Sequence, residues 1–150
     1  MSDTMSDPSS AELESPVLAL RRAILGRLAA DVDLTVILGG ARIHDAVPRA
    51  ASGVFVVFGE ARCRDWSTMT DRGHEQDISL TVWSRPGGAR PALAAAARIE
   101  RLLHDASLPL AGHRLVNLRV TATEVRRDER ADLARVTVRL RAVTECLATP

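Results

Sequence analysis

The strongest constraint on the fold is a regular alternation of apolar and polar residues near the end of the chain. The apolar positions are Val116, Leu118, Val120 and Ala122 in one stretch, and Val136, Val138, Leu140 and Ala142 in the next. Because successive side chains of a strand point to opposite faces, this pattern predicts two strands that each bury one face. The charged segment RRDERADLA lies between them and predicts a turn. The two strands are therefore expected to form an antiparallel hairpin.

The polar face of this hairpin is rich in arginine and threonine, which predicts a strongly basic surface. Its residues are Arg119, Thr121, Thr123, Arg135, Thr137, Arg139 and Arg141. A face of this kind is typical of a solvated sheet, and it also suits an acidic protein neighbour or a nucleic-acid backbone. The sequence leaves these alternatives open.

Two segments show the helical spacing of apolar residues. The first begins at Ser15 and Pro16, where serine can cap a helix and proline can occupy its first position. Its apolar stripe is Val17, Leu20, Ile24, Leu28 and Val32. The second stripe consists mainly of small residues, Ala92, Ala95, Ala96, Ile99, Leu102, Leu103 and Ala106. Both stripes predict helices that pack one face on a core, the second at close range.

Three further segments predict strands. ARIHDAVP predicts a short strand or an extended segment, and a long strand rich in Val and Phe starts near Val54, with Gly59 indicating a bulge. The third places Ile78, Leu80 and Val82 on one face. The order of helix, strands, helix and strands predicts an α+β domain, with an antiparallel four- to five-stranded sheet and two helices packed on one face.

A chain of 150 residues normally forms one domain. We expect a disordered acidic arm over residues 1–14, a folded domain over residues 15–146 and a C-terminal tail over residues 147–150. Twenty basic side chains balance 19 acidic ones, so net charge alone indicates no nucleic-acid partner. No apolar run or leader predicts a membrane association. Cys63 and Cys146 are too few for a disulfide framework and are expected to pack as reduced thiols.

Candidate catalytic or metal-binding residues cluster in the segment DWSTMTDRGHEQD. They are Asp71, His74, Glu75 and Asp77. The His-Glu pair resembles half of the zinc-binding HExxH motif, but Ile78 stands where the second histidine is required. No nucleophile elbow or glycine-rich oxyanion loop accompanies Ser67 or Thr70. We therefore expect no catalytic residue, no metal and no cofactor.

The same segment provides an unusually long connection between two strands. Residues 65–74, DWSTMTDRGH, are polar and prone to form turns, whereas hairpin loops usually take about two to five residues. Longer loops tend to serve a function. We therefore expect this polar loop to contact a partner.

The order of several segments resembles the small tail-completion family of long-tailed phages, and also the tail terminator of phage-derived gene transfer agents. These segments are ALRRAIL, LGGARIHDAVP, VVFGE, DWSTMTDRGHEQDISLTVWSR, LAGHRLVNLRV and VTVRLRAVTE, and they cover residues 15–146. The resemblance implies a non-enzymatic subunit with a tail-terminator fold. Such a subunit forms a hexameric ring at the head-proximal end of the tail tube, ends tube polymerisation and joins the tail to the head connector.

The resemblance also implies partners and an assembly interface. The partners are further copies of the chain, the tail tube protein, a head–tail connector or stopper protein and, as a further candidate, the tape-measure protein. DNA would pass through the ring without sequence-specific binding. The interface residues come from the polar loop and the arginine-rich face: Asp65, Trp66, Ser67, Thr68, Asp71, Arg72, His74, Arg119, Arg135, Arg139 and Arg141. The expected location is the host cytoplasm during assembly and then the tail of a phage or gene-transfer-agent particle.

Other functions remain open on the sequence. One is a different head–tail joining protein, a stopper or connector component, which would share the size and ring symmetry but contact other partners. A second is a small hydrolase that uses Asp71, His74 and Glu75. A third is a soluble homodimeric adaptor. Metal-dependent activity of the pure protein would favour the hydrolase.

Overall fold

The computed structural model describes residues 15–147, which contain three helices and six strands. The helices are α1 (Pro16–Ala29), α2 (Val32–Leu38) and α3 (Ala89–Leu103). The strands are β1 (Ile43–His44), β2 (Gly53–Asp65), β3 (Gly73–Arg85), β4 (Pro109–Leu110), β5 (His113–Asp128) and β6 (Leu133–Cys146). The predicted arm over residues 1–14 and residues 148–150 of the predicted tail lie outside the described residues.

The strands form one sheet in the order β1-β2-β3-β6-β5-β4. β1 runs parallel to β2, and every other neighbouring pair is antiparallel. The α+β class and the hairpin of β5 and β6 are confirmed. The predicted antiparallel sheet of four to five strands with two helices is wrong in detail, because the sheet is mixed and six-stranded and a third helix is present. The edge strands β1 and β4 have two residues each, too few for an alternation pattern.

The first predicted helix is divided in two at Asp31. The Asp31 side chain accepts a hydrogen bond from Leu34 N at 2.9 Å and so caps α2, while Ala30 ends α1. Arg98 of α3 donates to both carboxylate oxygens of Asp31 at 2.8 Å. These hydrogen bonds lower the pKa of Asp31 to about 2. The predicted place of Val32 in the buried stripe is wrong, since the second helix leaves this side chain 72% exposed.

A single core lies between the helices and one face of the sheet. The helices contribute Leu20, Ile24, Leu28, Leu34, Leu38, Ala92, Ala95, Ala96, Ile99, Leu102 and Leu103. The strands contribute Val56, Phe58, Leu80, Val82, Leu118, Val136, Val138, Leu140 and Ala142. Each large aliphatic side chain buried in this way contributes about 1.5–3 kcal/mol to the stability of the fold. The core therefore confirms the small-residue stripe of α3 and most of the predicted apolar positions.

Both cysteines are free thiols, but Cys63 is exposed, so its predicted packing is wrong, and Cys146 is only partly buried. Within residues 15–147, no helix is long and apolar enough to cross a membrane.

A bulge interrupts the pairing of β2 with β3. The register shifts between Phe58 and Ala61, which confirms the bulge predicted at Gly59. A Cβ atom added to Gly59 would lie 2.3 Å from Ser79 Oγ, so any larger residue at this position would clash with the Ser79 hydroxyl.

Two bulges in β5 overturn part of the alternation predicted for this strand. The register with β6 shifts just before Asn117 and again just before Ala122. Val116 is therefore 44% exposed, and Ala122 lies opposite Arg139 on the polar face instead of in the core. Leu118, between the two bulges, is buried as predicted. One extra residue in a strand moves every following side chain to the other face, which no local pattern reveals.

Candidate assembly surface

The face of the sheet opposite the helices, here called the outer face, carries most of the predicted interface arginines. Its residues include Phe55, Val57, Glu75, Trp83, Arg119, Glu124, Arg126, Arg135, Thr137, Arg139 and Arg141. These side chains share a face because the alternate residues of the same strands belong to the core. Thr123 was predicted on this face, but it lies on the helix side, where its hydroxyl donates to Glu100 Oε2 at 3.0 Å.

Carboxylates neutralise several arginines of the outer face. Glu75 is only 5% exposed and accepts hydrogen bonds from Arg64 and Arg141. Arg139 donates to both carboxylate oxygens of Glu124 at 3.4 Å. A buried carboxylate such as Glu75 depends on these partners, because an unpaired buried charge strongly destabilises a fold. The strongly basic face that the sequence predicts is therefore corrected to a mixed surface of arginines and carboxylates.

One row of side chains on the outer face contains two arginines whose charge no carboxylate of the described residues neutralises. Phe55, Trp83, Arg135 and Arg126 are directly opposed in turn across β2, β3, β6 and β5. Trp83 stacks on Phe55 with 5.9 Å between ring centroids, and the Arg135 guanidinium lies 5.3 Å from the Trp83 centroid. Among the described residues, neither Arg126 nor Arg135 has a carboxylate partner, and the buried Nε of Arg135 has no hydrogen-bond acceptor. Sequence reasoning missed Arg126 because the bulge before Ala122 brings it to this face.

An open groove of about 420 Å³ lies along this row. Its lining combines the apolar side chains of Val47, Val57 and Trp83 with the guanidinium groups of Arg126 and Arg135. The ion pair of Glu124 with Arg139 also lines it and adds no net charge. The groove can therefore offer apolar contact and charged hydrogen-bond donors to the same ligand.

The predicted polar loop is the tip of the β2–β3 hairpin, and it is shorter than the sequence indicates. Asp65 and His74 pair across the ladder, so the connection is confined to residues 66–72. The tip is internally hydrogen-bonded, since Thr68 N donates to Asp71 O at 2.8 Å and Asp71 N donates to Thr68 Oγ1 at 3.0 Å. Met69 is fully exposed. The hairpin tip is thus a structured and accessible surface.

Several contacts join the hairpin tip to the sheet. Trp66 is 52% exposed, and the Arg141 guanidinium lies 5.7 Å from the centroid of its ring. Ser67 Oγ donates to Asp65 Oδ1 at 2.6 Å. The carbonyl oxygen of Arg72 accepts a hydrogen bond at 2.8 Å from the backbone N of the last β6 residue. The polar loop and the arginine face of the predicted interface therefore meet at Trp66 and Arg141.

The four candidate catalytic residues do not converge on one site, although Glu75 and Asp77 both contact Arg64. His74 and Glu75 are neighbours in β3, so their side chains point to opposite faces of the sheet. Glu75 is held by arginines on the outer face, and Asp71 belongs to the hairpin tip. In the described part of the chain, no group of three His, Cys, Asp or Glu residues is placed to hold a metal ion. The geometry therefore gives no support to the hydrolase alternative.

Two long strands each expose one edge. β1 pairs only with Val56 and Val57, so residues 60–65 of β2 have no strand partner on that side within the described chain. β4 pairs only with His113 and Arg114, and the corresponding edge of β5 lacks a described strand partner over residues 121–128. All of these edge residues are exposed. Such edges carry N–H and C=O groups that can pair with a strand of another chain.

Comparison with known proteins finds relatives along most of the chain. The family model for tail completion protein gp17 matches residues 22–145. A chain from the solved structure of the virion of a native gene transfer agent particle is 33% identical, with a TM-score of 0.79 over 88% of this chain and 98% of that chain. A second solved structure, which carries no functional description, is 18% identical with a TM-score of 0.51, over 91% of this chain and 99% of its own, and supports the fold alone. No curated protein matches the sequence.

The family match begins within α1 and ends near the end of β6, so it includes part of α1, the whole of α2 and α3, both long hairpins and the hairpin tip. The resemblance predicted from short sequence segments is thereby confirmed. The chain belongs to the family of tail completion protein gp17.

Proposed function

We propose that this chain is a tail terminator, a structural protein that caps the tail tube at its head-proximal end and stops tube polymerisation. The observation that carries the proposal is the family match over residues 22–145, supported by 33% identity to a chain of a gene transfer agent virion. The proposed location follows from the same likeness: host cytoplasm during assembly, then the tail of a phage or gene-transfer-agent particle. No catalysis, cofactor or membrane is part of the proposal.

The proposed assembly is a closed ring of copies, hexameric by analogy with the family. The exposed edges of β2 and β5 lie on opposite sides of one sheet. A contact between these two different edges is heterologous, and its repetition closes a ring when the rotation fits. An interface of standard size would bury about 1,600 Å². A two-fold dimer, the adaptor alternative, would instead use one surface twice.

The proposed interface also includes the hairpin tip and the outer face. The exposed Trp66 and Met69 of the tip supply apolar surface for a neighbouring copy or for the tail tube protein. The residues assigned to this interface are Asp65, Trp66, Ser67, Thr68, Asp71, Arg72, His74, Arg119, Arg135, Arg139 and Arg141. Further proposed partners are the head–tail connector or stopper protein and the tape-measure protein, with DNA passing through the ring.

Electron microscopy of particles made with and without this chain tests the proposal. Without the chain, we expect tails of variable and excessive length, because nothing arrests tube growth. Supplying the chain again should restore tails of uniform length, and the purified chain should sediment as a ring at high concentration. Uniform tails in the absence of the chain would overturn the terminator role. If those uniform tails also lack heads, the stopper alternative is supported instead.

A shortened hairpin tip tests the assembly role of the loop. Replacing residues 67–72 with Asn-Gly keeps Trp66 opposite Gly73, whose carbonyl accepts a hydrogen bond from Trp66 N at 2.8 Å. The variant should stay folded, because the core lies elsewhere, but should fail to form rings or to give uniform tails. The matched control replaces residues 129–132, the turn at the other end of the sheet, in the same way. Normal rings and tails from the first variant would show that the tip is dispensable.

A further inference from the structure

The groove over Arg126 and Arg135 carries a positive charge that the described residues do not neutralise. The two arginines are directly opposed in an antiparallel ladder, where like charges destabilise the pair. Elsewhere on the outer face, Arg141 has a carboxylate partner in Glu75. In addition, the buried Nε of Arg135 has no acceptor within the described chain. An anion bound between Arg126 and Arg135 would offset the repulsion between the two guanidinium groups and accept a hydrogen bond from the Arg135 Nε.

The apolar part of the groove indicates what kind of anion fits. Val47, Val57 and Trp83 line it beside the arginines. A volume of about 420 Å³ holds a few side chains of an extended segment and not a folded domain. A small inorganic anion would leave the apolar lining unused. The groove therefore suits a short peptide that carries both carboxylates and apolar side chains.

Residues 1–14 of this chain have that chemistry. The sequence MSDTMSDPSSAELE contains four carboxylate side chains and no lysine or arginine. Asp3, Met5 and Asp7 alternate with small polar residues, so an extended segment would present two carboxylates and one apolar side chain on the same side. Charge and apolar content both match the groove.

The segment of the same copy is badly placed to fill the groove. Pro16 lies on the helix side of the sheet, where its carbonyl accepts a hydrogen bond from Gln76 Nε2 at 3.1 Å. Gln76 is about 23 Å from Trp83 along β3, and a path round the sheet edge to the outer face is on the order of 40 Å. An extended chain from residue 15 back to Asp7 spans about 28 Å. Asp7 of the same copy therefore does not reach the groove, and Asp3 and Asp7 can enter it together only from a neighbouring copy.

We propose that residues 1–14 of one copy bind the groove of the next, with Asp3 and Asp7 paired to Arg126 and Arg135 and Met5 packed against Trp83. The inference rests on the self-association in the proposed function, to which it adds a second contact between neighbours. A nucleic-acid backbone is the other polyanion that arginines bind. It fits less well, because the buried Glu75 and the paired Glu124 interrupt the positive charge of the outer face.

The test uses a labelled synthetic peptide of residues 1–14 and the full-length chain, kept too dilute to associate. Fluorescence anisotropy should show saturable binding that weakens as salt is raised. Arg126→Glu places a carboxylate opposite Arg135, so it should keep or raise the melting temperature while weakening peptide binding at least about tenfold. The control Arg90→Glu, at an exposed arginine of α3, should leave binding unchanged. A peptide with Asp3→Asn and Asp7→Asn should bind as weakly as the wild-type peptide binds the Arg126→Glu chain.

Three results would overturn the inference: no binding up to millimolar peptide, equal binding to the Arg126→Glu chain, or displacement of the peptide by a single-stranded oligonucleotide that binds the groove more tightly. Failure of the proposed function is seen separately. Peptide binding by a chain that never forms rings or arrests tails would remove the terminator role and leave the groove contact in place. Rings and uniform tails without peptide binding would remove the groove contact and leave the terminator role in place.

Discussion

Replacing Gly59 with alanine tests whether the bulge in β2 is set by its contact with Ser79. The new Cβ would lie 2.3 Å from Ser79 Oγ and 3.4 Å from the Ser79 carbonyl oxygen. Optimal separation of such atoms is about 3.5 Å, so the first contact overlaps by more than an ångström. Overpacking of this kind costs about 1–3 kcal/mol. At about 2–4 °C per kcal/mol for a chain of this length, the Gly59→Ala variant should melt about 2–12 °C below the parent.

The matched second substitution is Ser79→Ala, which removes the clashing hydroxyl. The Cβ atoms of the two residues would then be 3.5 Å apart, an ordinary contact. The double variant should recover most of the lost stability, with a coupling energy of about 1–2 kcal/mol from urea denaturation of the parent, both single variants and the double variant. A Gly59→Ala variant as stable as the parent would refute the reasoning. Strictly additive effects would show that the loss comes from the backbone and not from Ser79.

Other contacts give predictions that stability measurements can check. Because the pKa of Asp31 is lowered from 3.8 to about 2, its contribution is complete above pH 3.8 and is lost as the pH falls to 2. Asp31→Asn should flatten that part of the curve of melting temperature against pH, and an unchanged slope would contradict the assignment. Ile99→Ala should lower the free energy of unfolding by about 2–5 kcal/mol through a core cavity, measured in urea. Arg141→Glu should cost about 3–5 kcal/mol by leaving Glu75 beside a second carboxylate, whereas Arg139→Glu, at an exposed pair, should cost under about 1 kcal/mol; equal losses would contradict this account.

Local sequence patterns predict the α+β class, most of the core and the family of this protein correctly. Helical spacing identified Leu20 and Ile24 in α1, and alternation identified Val136 and Val138 in β6, because periodicity is a local property of each segment. Gly59 correctly indicated the bulge in β2, because glycine weakens a regular strand and often occurs inside one at a bulge. Cap residues also marked the start of α1 correctly, with Ser15 at the cap and proline next.

The pairing of the strands and the set of side chains that meet on the outer face depend on long-range contacts. The bulges of β5 place Arg126 beside Arg135 and Thr123 on the side of α3. Glu75 of β3 accepts hydrogen bonds from Arg64 of β2 and from Arg141 of β6, the two strands beside it. The hairpin tip is shorter than predicted, because Asp65 and His74 pair with each other in the ladder of β2 and β3. Register depends on hydrogen bonds between segments that are distant in sequence, so one extra residue in one strand changes a whole face without altering any local pattern.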